Sequence, residues 1–158
     1  MLLAALCIQC RLLANLFDGM VAVESGQSSK LGELYNEIPD RIADALILIG
    51  AGYAVGGQPI PGFLAAALAI FVAYIRVIGN SVGARDLFLG PMAKPHRMAT
   101  MTVALLYAAA VPGAWPGGID SVAETGVVTI ALWLIVAGCI VTSARRIAST
   151  ARQVAATR

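Results

Sequence analysis

Charge is scarce in this chain of 158 residues: Asp, Glu, Lys and Arg make up 13% of it, where a soluble globular domain carries roughly 25%. Aromatic residues are few as well, at 6%, and there is one histidine, His96. With 59% hydrophobic residues and a mean hydropathy of +0.81, so little charge excludes an ordinary water-soluble domain, a disordered chain and a coiled coil. Cysteine is sparse too. Cys7 and Cys10 form a C-x-x-C inside an apolar run and Cys139 stands alone, so neither a disulfide framework nor a cysteine metal site is expected. The formal net charge of +2 comes without a clustered basic face, which excludes a nucleic-acid partner. What remains is a small polytopic membrane protein forming a single domain over residues 1–158, all-α in class.

A bilayer core needs about 20 predominantly apolar residues per helix. Five segments meet that need: Met1 to Val23, Ile42 to Gly57, Phe63 to Ile78, Met98 to Ala114 and Gly126 to Thr142. Between the second and third lies the turn-like Gly-Gln-Pro-Ile-Pro-Gly ending at Gly62, and the fourth stops at the Pro-Gly-rich stretch that starts at Pro112. Ten of the eleven basic residues, all but Arg11, fall on one side: Lys30 and Arg41, then Arg76, Arg85, Lys94 and Arg97, then Arg145, Arg146, Arg152 and Arg158. The positive-inside rule makes that side, and the C-terminus, cytoplasmic. Met1 then lies on the far face with no charged leader and no small-residue cleavage site, so the five spans are expected to belong to a six-span bundle lacking its first helix.

Six of the nine acidic residues, Asp18, Glu24, Glu33, Glu37, Asp40 and Asp44, straddle the cytoplasmic ends of the first two spans. Charge in or beside a membrane helix is expensive, and an ionisable group there points to function. Residues three or four apart share a helix face, so Asn15, Asp18 and Ala22 form one stripe and Asn36, Asp40 and Asp44 another. Two such stripes facing each other would gather oxygen ligands of the kind hard divalent cations take. The bland reading, Asp at a helix start favoured by the macrodipole, explains Asp44 least, because it lies a full turn deeper than Asp40. Arg11 either snorkels or pairs with a carboxylate. His96 reads as solvated in a basic loop. The run Gly50-Ala-Gly52-Tyr-Ala-Val-Gly56 imitates a dinucleotide fingerprint but lacks the acidic residue downstream. Gly52 with Gly56, and Gly79 with Gly83, read instead as sites of close helix contact.

The stretch Asn15-Leu-Phe-Asp18-Gly19-Met-Val-Ala22-Val23, then eight residues to Gly32-Glu-Leu-Tyr-Asn36-Glu-Ile-Pro-Asp40, resembles the signature of the CDP-alcohol phosphatidyltransferase family, D-x-x-D-G-x-x-A-R, eight residues, G-x-x-x-D-x-x-x-D. Spacing matches at every motif position, and Asp18, Gly19, Ala22, Gly32 and Asp40 match in identity, whereas Asn15, Val23 and Asn36 depart. With Arg41-Ile-Ala-Asp44 and the loop ending Lys94-Pro-His-Arg97, the resemblance covers Arg11 to about Met101.

The resemblance implies an integral-membrane transferase in phospholipid biosynthesis. It moves a phosphatidyl group from a CDP-linked lipid such as CDP-diacylglycerol to an acceptor alcohol and releases CMP. It implies Asp40 as the catalytic base and Mg²⁺ or Mn²⁺ on Asn15, Asp18, Asn36 and Asp40. Gly19, Ala22, Ser29 and Gly32 would meet the donor. Independently of the resemblance, Arg76, Lys94 and Arg97 cluster beside the same cytoplasmic mouth and are candidates to hold an acceptor phosphate, if the acceptor has one. A homodimer in the inner, cytoplasmic membrane of a bacterium, with the site facing the cytoplasm, is implied too. Two carboxylates replaced by Asn lower the affinity for cations, and Val23 lacks the cation the signature offers the donor. Three readings follow: an active transferase with a shifted ligand set that drafts in Glu37 or Asp44, a changed donor, or a catalytically inactive relative serving as scaffold or lipid-binding protein. A transporter would need an ionisable group near the middle of a later span, and 63–75 and 98–114 hold none.

Overall fold

The computed structural model describes residues 1–24, 30–84, 90–111 and 126–156. Among them there are five helices and no strand: α1 (Leu2–Glu24), α2 (Lys30–Gly52), α3 (Pro59–Ser81), α4 (Lys94–Ala110) and α5 (Val127–Ala156). The first loop with Ser29, the segment holding Arg85, the stretch from Pro112 and the residue Arg158 lie outside the described residues. Helices α3 and α5 are long and apolar enough to cross a membrane, and α1 carries a shorter apolar stretch, Leu2–Phe17.

Helices α2, α3 and α4 start earlier than the apolar runs do, because a helix needs backbone hydrogen bonds and tolerable propensity, while hydropathy decides only what surrounds it. α2 begins at Lys30 rather than Ile42, and its polar first half runs through Pro39 and Asp40. The expected turn at 57–62 gives way to α3 at Pro59. A proline in the first turn loses no hydrogen bond, since its missing N–H would have had no partner there. Pro95 does the same for α4, so Lys94, His96 and Arg97 sit on a helical first turn instead of in a loop. α5 continues to Ala156, placing Arg145, Arg146 and Arg152 on helix rather than in a tail.

Packing runs α1 on α4, α4 on α5, α5 on α3 and α3 on α2, with α2 also touching α5. The shared core includes Ala5, Leu48, Ala65, Met98, Leu132 and Ile135. Large apolar side chains also face outward on every helix, among them Leu6, Leu46, Phe71, Leu106, Leu134 and Ile140. Water-soluble monomers rarely expose so continuous an apolar surface, whereas acyl chains cover it at no cost.

The α2–α3 hairpin closes on glycine. A Cβ on Gly62 would lie 2.9 Å from the Leu48 carbonyl oxygen and 3.1 Å from Gly52 Cα, so the pair that allows close approach is Gly52 with Gly62. Gly56 instead forms the turn at φ 75°, and its carbonyl accepts hydrogen bonds from the backbone N–H (3.1 Å) and Oγ1 (3.0 Å) of Thr129 at the start of α5. No strand precedes Gly50, which lies inside α2, so the dinucleotide pattern has no structural basis. Gly62→Leu forces backbone against backbone. It is expected to destabilise the fold by about 1–3 kcal/mol, read as a lowered midpoint in detergent thermal unfolding, with Gly50→Ala, inside α2, as a control that meets open space.

Candidate active site

The one face that Asp40 and Asp44 share on α2 is where α1 and α4 converge. Asp40 lies one helical turn above Asp44, and each carboxylate takes cations from both neighbours. Arg11 of α1 donates from Nη2 to the Asp40 carboxylate and to the Asp40 carbonyl, both at 2.9 Å. Asn15, one turn along, donates its amide to the same Asp40 Oδ1 at 2.9 Å. Lys94 of α4 forms an ion pair with the other oxygen, Oδ2.

Asp44 is the buried member, with 2% of its surface exposed. Arg11 Nη1 stands 2.7 Å from its Oδ1, a charge contact without hydrogen-bond alignment. Arg97, 1% exposed, donates to Oδ2 at 3.4 Å and to the Met92 carbonyl at 3.1 Å. Arg41 lies at 4.0 Å on the same helix. At the outer edge, Glu37 receives Arg41 (3.1 Å) and Arg76 of α3 (3.0 Å).

The approach to α4 is fixed from α5. Thr142 Oγ1 accepts the Met92 N–H at 3.0 Å and donates to the Gly138 carbonyl at 2.7 Å, which sets where Lys94 and Arg97 enter. On the other side, Gln9 of α1 donates to Thr102 of α4 at 2.7 Å. A cleft of about 600 Å³ opens between α1 and α2, lined by Cys7, Ile8, Leu46, Ile47 and Gly50, with Arg11 at its polar end.

The structure thus unites Asn15, Asp40, Lys94 and Arg97 of the expected site residues, and places Arg76 beside them through Glu37. Asp18, Gly19, Ala22, Gly32 and Asn36 lie on α1 and α2, but their side chains are outside the described residues, as is Ser29 altogether. His96 is exposed, in line with solvation. Asp44 and Arg97 were singled out separately by sequence, but their pairing and the burial of Arg146 were not. Asp44 with Arg97 makes a buried pair, and Arg146, 4% exposed, donates to the Val72 carbonyl at 3.0 Å, within electrostatic reach of Arg76 and Arg97. The signal for Arg146 was present: it continues the stripe Ile135, Cys139, Thr142 on the buried face of α5.

The family that the signature resembles is generally dependent on divalent metal. The described donors do not fit such an ion. No group of three His, Cys, Asp or Glu side chains converges among the described residues. Asp40 Oδ1 is already shared by Arg11 and Asn15, and Oδ2 by Lys94. Two unit charges 4 Å apart repel by about 4 kcal/mol at an effective dielectric near 20, and a divalent ion beside Lys94 would face about twice that. Among the described residues five cations, Arg11, Arg41, Arg76, Lys94 and Arg97, meet three carboxylates, Glu37, Asp40 and Asp44, a balance that favours an anion.

Removing one partner of a buried ion pair leaves an uncompensated charge. Asp44→Ala is therefore expected to cost about 3–5 kcal/mol, and Glu37→Gln, at a carboxylate 39% exposed, less than about 1 kcal/mol. Thermal unfolding of the two variants in the same detergent checks the ranking, and equal midpoints would contradict it.

No family model matches the chain, and no solved structure matches it. A phosphatidylinositol phosphate synthase of Streptomyces avermitilis is 28% identical over 149 residues, which cover 89% of this chain and 57% of that protein. The chain thus spans little more than half the length of the curated relative it matches. That relative is a CDP-alcohol phosphatidyltransferase, and the similarity supports the family that the spacing from Asn15 to Asp40 resembles.

Proposed function

We propose that this chain is a membrane transferase of phospholipid biosynthesis that moves a phosphatidyl group from a CDP-linked lipid to an acceptor alcohol. The observation that carries this reading is the convergence of Arg11, Lys94 and Arg97 on Asp40 and Asp44 at the polar end of an apolar cleft. An amphiphilic donor needs both: apolar walls for its chains and cations for its phosphates. On this reading the five helices form a bundle in a bacterial cytoplasmic membrane, with the charged end toward the cytoplasm, where the basic residues gather. A homodimer accords with the family resemblance.

Asp40 is the base. A carboxylate offers about four lone-pair positions. Arg11, Asn15 and Lys94 occupy three, which leaves one on Oδ2 for the acceptor's hydroxyl. As that proton passes to Asp40, the acceptor oxygen bonds to the β-phosphorus of the donor. The bond from that phosphorus to the bridging oxygen breaks, and CMP leaves with the electron pair. Such transfer rests on positioning and on neutralising charge at phosphate oxygens; the partly exposed Lys94 suits that contact, and the buried Arg97 adds its charge from behind Asp44. Arg76, beside them, suits an acceptor that carries its own phosphate, as the relative's name implies for its product.

The test is CMP release from CDP-diacylglycerol by the purified chain in detergent, with Mg²⁺ or Mn²⁺ supplied and glycerol 3-phosphate, inositol phosphate and serine as acceptors. Release is expected with one acceptor, and Asp40→Asn is expected to lower it by about 10²–10⁴-fold, the usual contribution of a positioned base. No release from folded protein with any acceptor would favour a non-catalytic scaffold or lipid-binding relative.

A further inference from the structure

The Lys94–Asp40 contact lies where the resemblance expects a divalent cation. We propose that in this chain the Lys94 ammonium takes that place, so that the Asp40 cluster meets substrate phosphates with side-chain cations and holds no divalent ion of its own. The proposal rests on the transferase reading for its substrate alone. Its test does not depend on turnover.

Three independent features agree. First, Lys94 is placed by the fold and is no stray surface chain. It opens α4, whose entry is set by Pro95 and by the Met92–Thr142 hydrogen bond to α5, and its ammonium pairs with Asp40 Oδ2. Second, the other Asp40 oxygen is also taken. Arg11 and Asn15 both donate to Oδ1, so a cation approaching Asp40 meets positive charge or N–H groups on both oxygens. Third, the sequence has moved in the same direction. Asn stands at 15 and 36, two positions where a cation cage would carry carboxylates. A neutral amide neither attracts a divalent ion as a carboxylate does nor repels a neighbouring ammonium, and at position 15 it donates to Asp40 instead.

The exchange is chemically coherent. A divalent ion in phosphoryl-type transfer neutralises phosphate oxygens and orients them. A lysine does this as a compact point charge, and arginine adds paired N–H donors. Lys94, partly exposed, presents the first kind of donor beside Asp40, and Arg97, one helical turn on and buried against Asp44, adds its charge from behind.

Mn²⁺ is titrated into the full chain in detergent, and free Mn²⁺ is followed by its electron paramagnetic resonance signal. The unaltered protein, Lys94→Met, Asp40→Asn and the double variant Lys94→Met/Asp40→Asn are compared. Lys94→Met removes one positive charge next to the carboxylate and is expected to bind Mn²⁺ at least about tenfold more tightly than the unaltered chain, a gain that Asp40→Asn cancels. A stoichiometric Mn²⁺ site in the unaltered chain that is lost in Asp40→Asn would overturn the proposal, and that arm stands even if Lys94→Met does not fold. Equal Mn²⁺ affinity in folded Lys94→Met and the unaltered chain would overturn it as well. Failure of the transferase reading would show separately, as no CMP release, whatever the Mn²⁺ result.

Discussion

Two carboxylates on one face of α2 cannot sit among apolar helices unless cations come to them. The isolated charge would cost many kcal/mol in a low-dielectric interior, so Asp44 in particular requires its arginines. The helices that supply those cations are α1 and α4, and this requirement organises the rest. Side-chain packing alone links the bundle as α1, α4, α5, α3, α2. The ion pairs from α2 to Arg11 and from α2 to Lys94 and Arg97 join the two ends of that series. The same contacts leave the apolar cleft between α1 and α2 open beneath them, because among the described residues α2 meets α1 chiefly through charge.

This arrangement gives the site its character. Buried charges are worth little as stabilisers, since desolvation offsets most of the attraction, but they fix geometry, because any misplaced partner leaves a bare charge. Arg97 is held by Asp44 and by the Met92 carbonyl together, so its guanidinium has one position. Lys94, one turn away, is set by Asp40. On the proposed reading, a phosphate entering this mouth would meet cations already in place, which is the condition for electrostatic help without reorganisation.

Much of this was legible in the chain. The spacing of three and four that puts Asp40 and Asp44 on one face follows from helix geometry, and the scarcity of charge elsewhere singled out that face. The short distance from Asn15 to Asp40 in sequence made an α1–α2 meeting predictable. The pairing of Arg11 with a carboxylate was one of two readings and is the one found, but the buried partner of Asp44 was not foreseen. Arg97 lies 53 residues away on a segment that reads as a basic loop, and only the proline-started helix brings it inward. Helix starts were missed for a related reason. Hydropathy marks where lipid or core surrounds a helix, and α2 spends twelve residues, from Lys30 to Arg41, before its apolar run begins. Arg146 was read by its charge as a topology signal, although its register with Thr142 and Cys139 put it on the buried face of α5. The glycines were half legible: close helix contact was expected at Gly52, but its partner, Gly62, comes from across the hairpin rather than from one turn along.

The central claim is that the buried carboxylate and its arginine act as one unit that the bundle is built around. A double-mutant cycle on Arg97 and Asp44, with Arg97→Gln, Asp44→Asn and the pair together, measures that directly through unfolding in a fixed detergent. The double variant is expected to lose less stability than the two single losses combined, with a coupling of about 1–3 kcal/mol, because each single variant strands the other's charge. Strict additivity would mean that the two side chains do not depend on each other, and the account of the site as a closed charge cluster would fail.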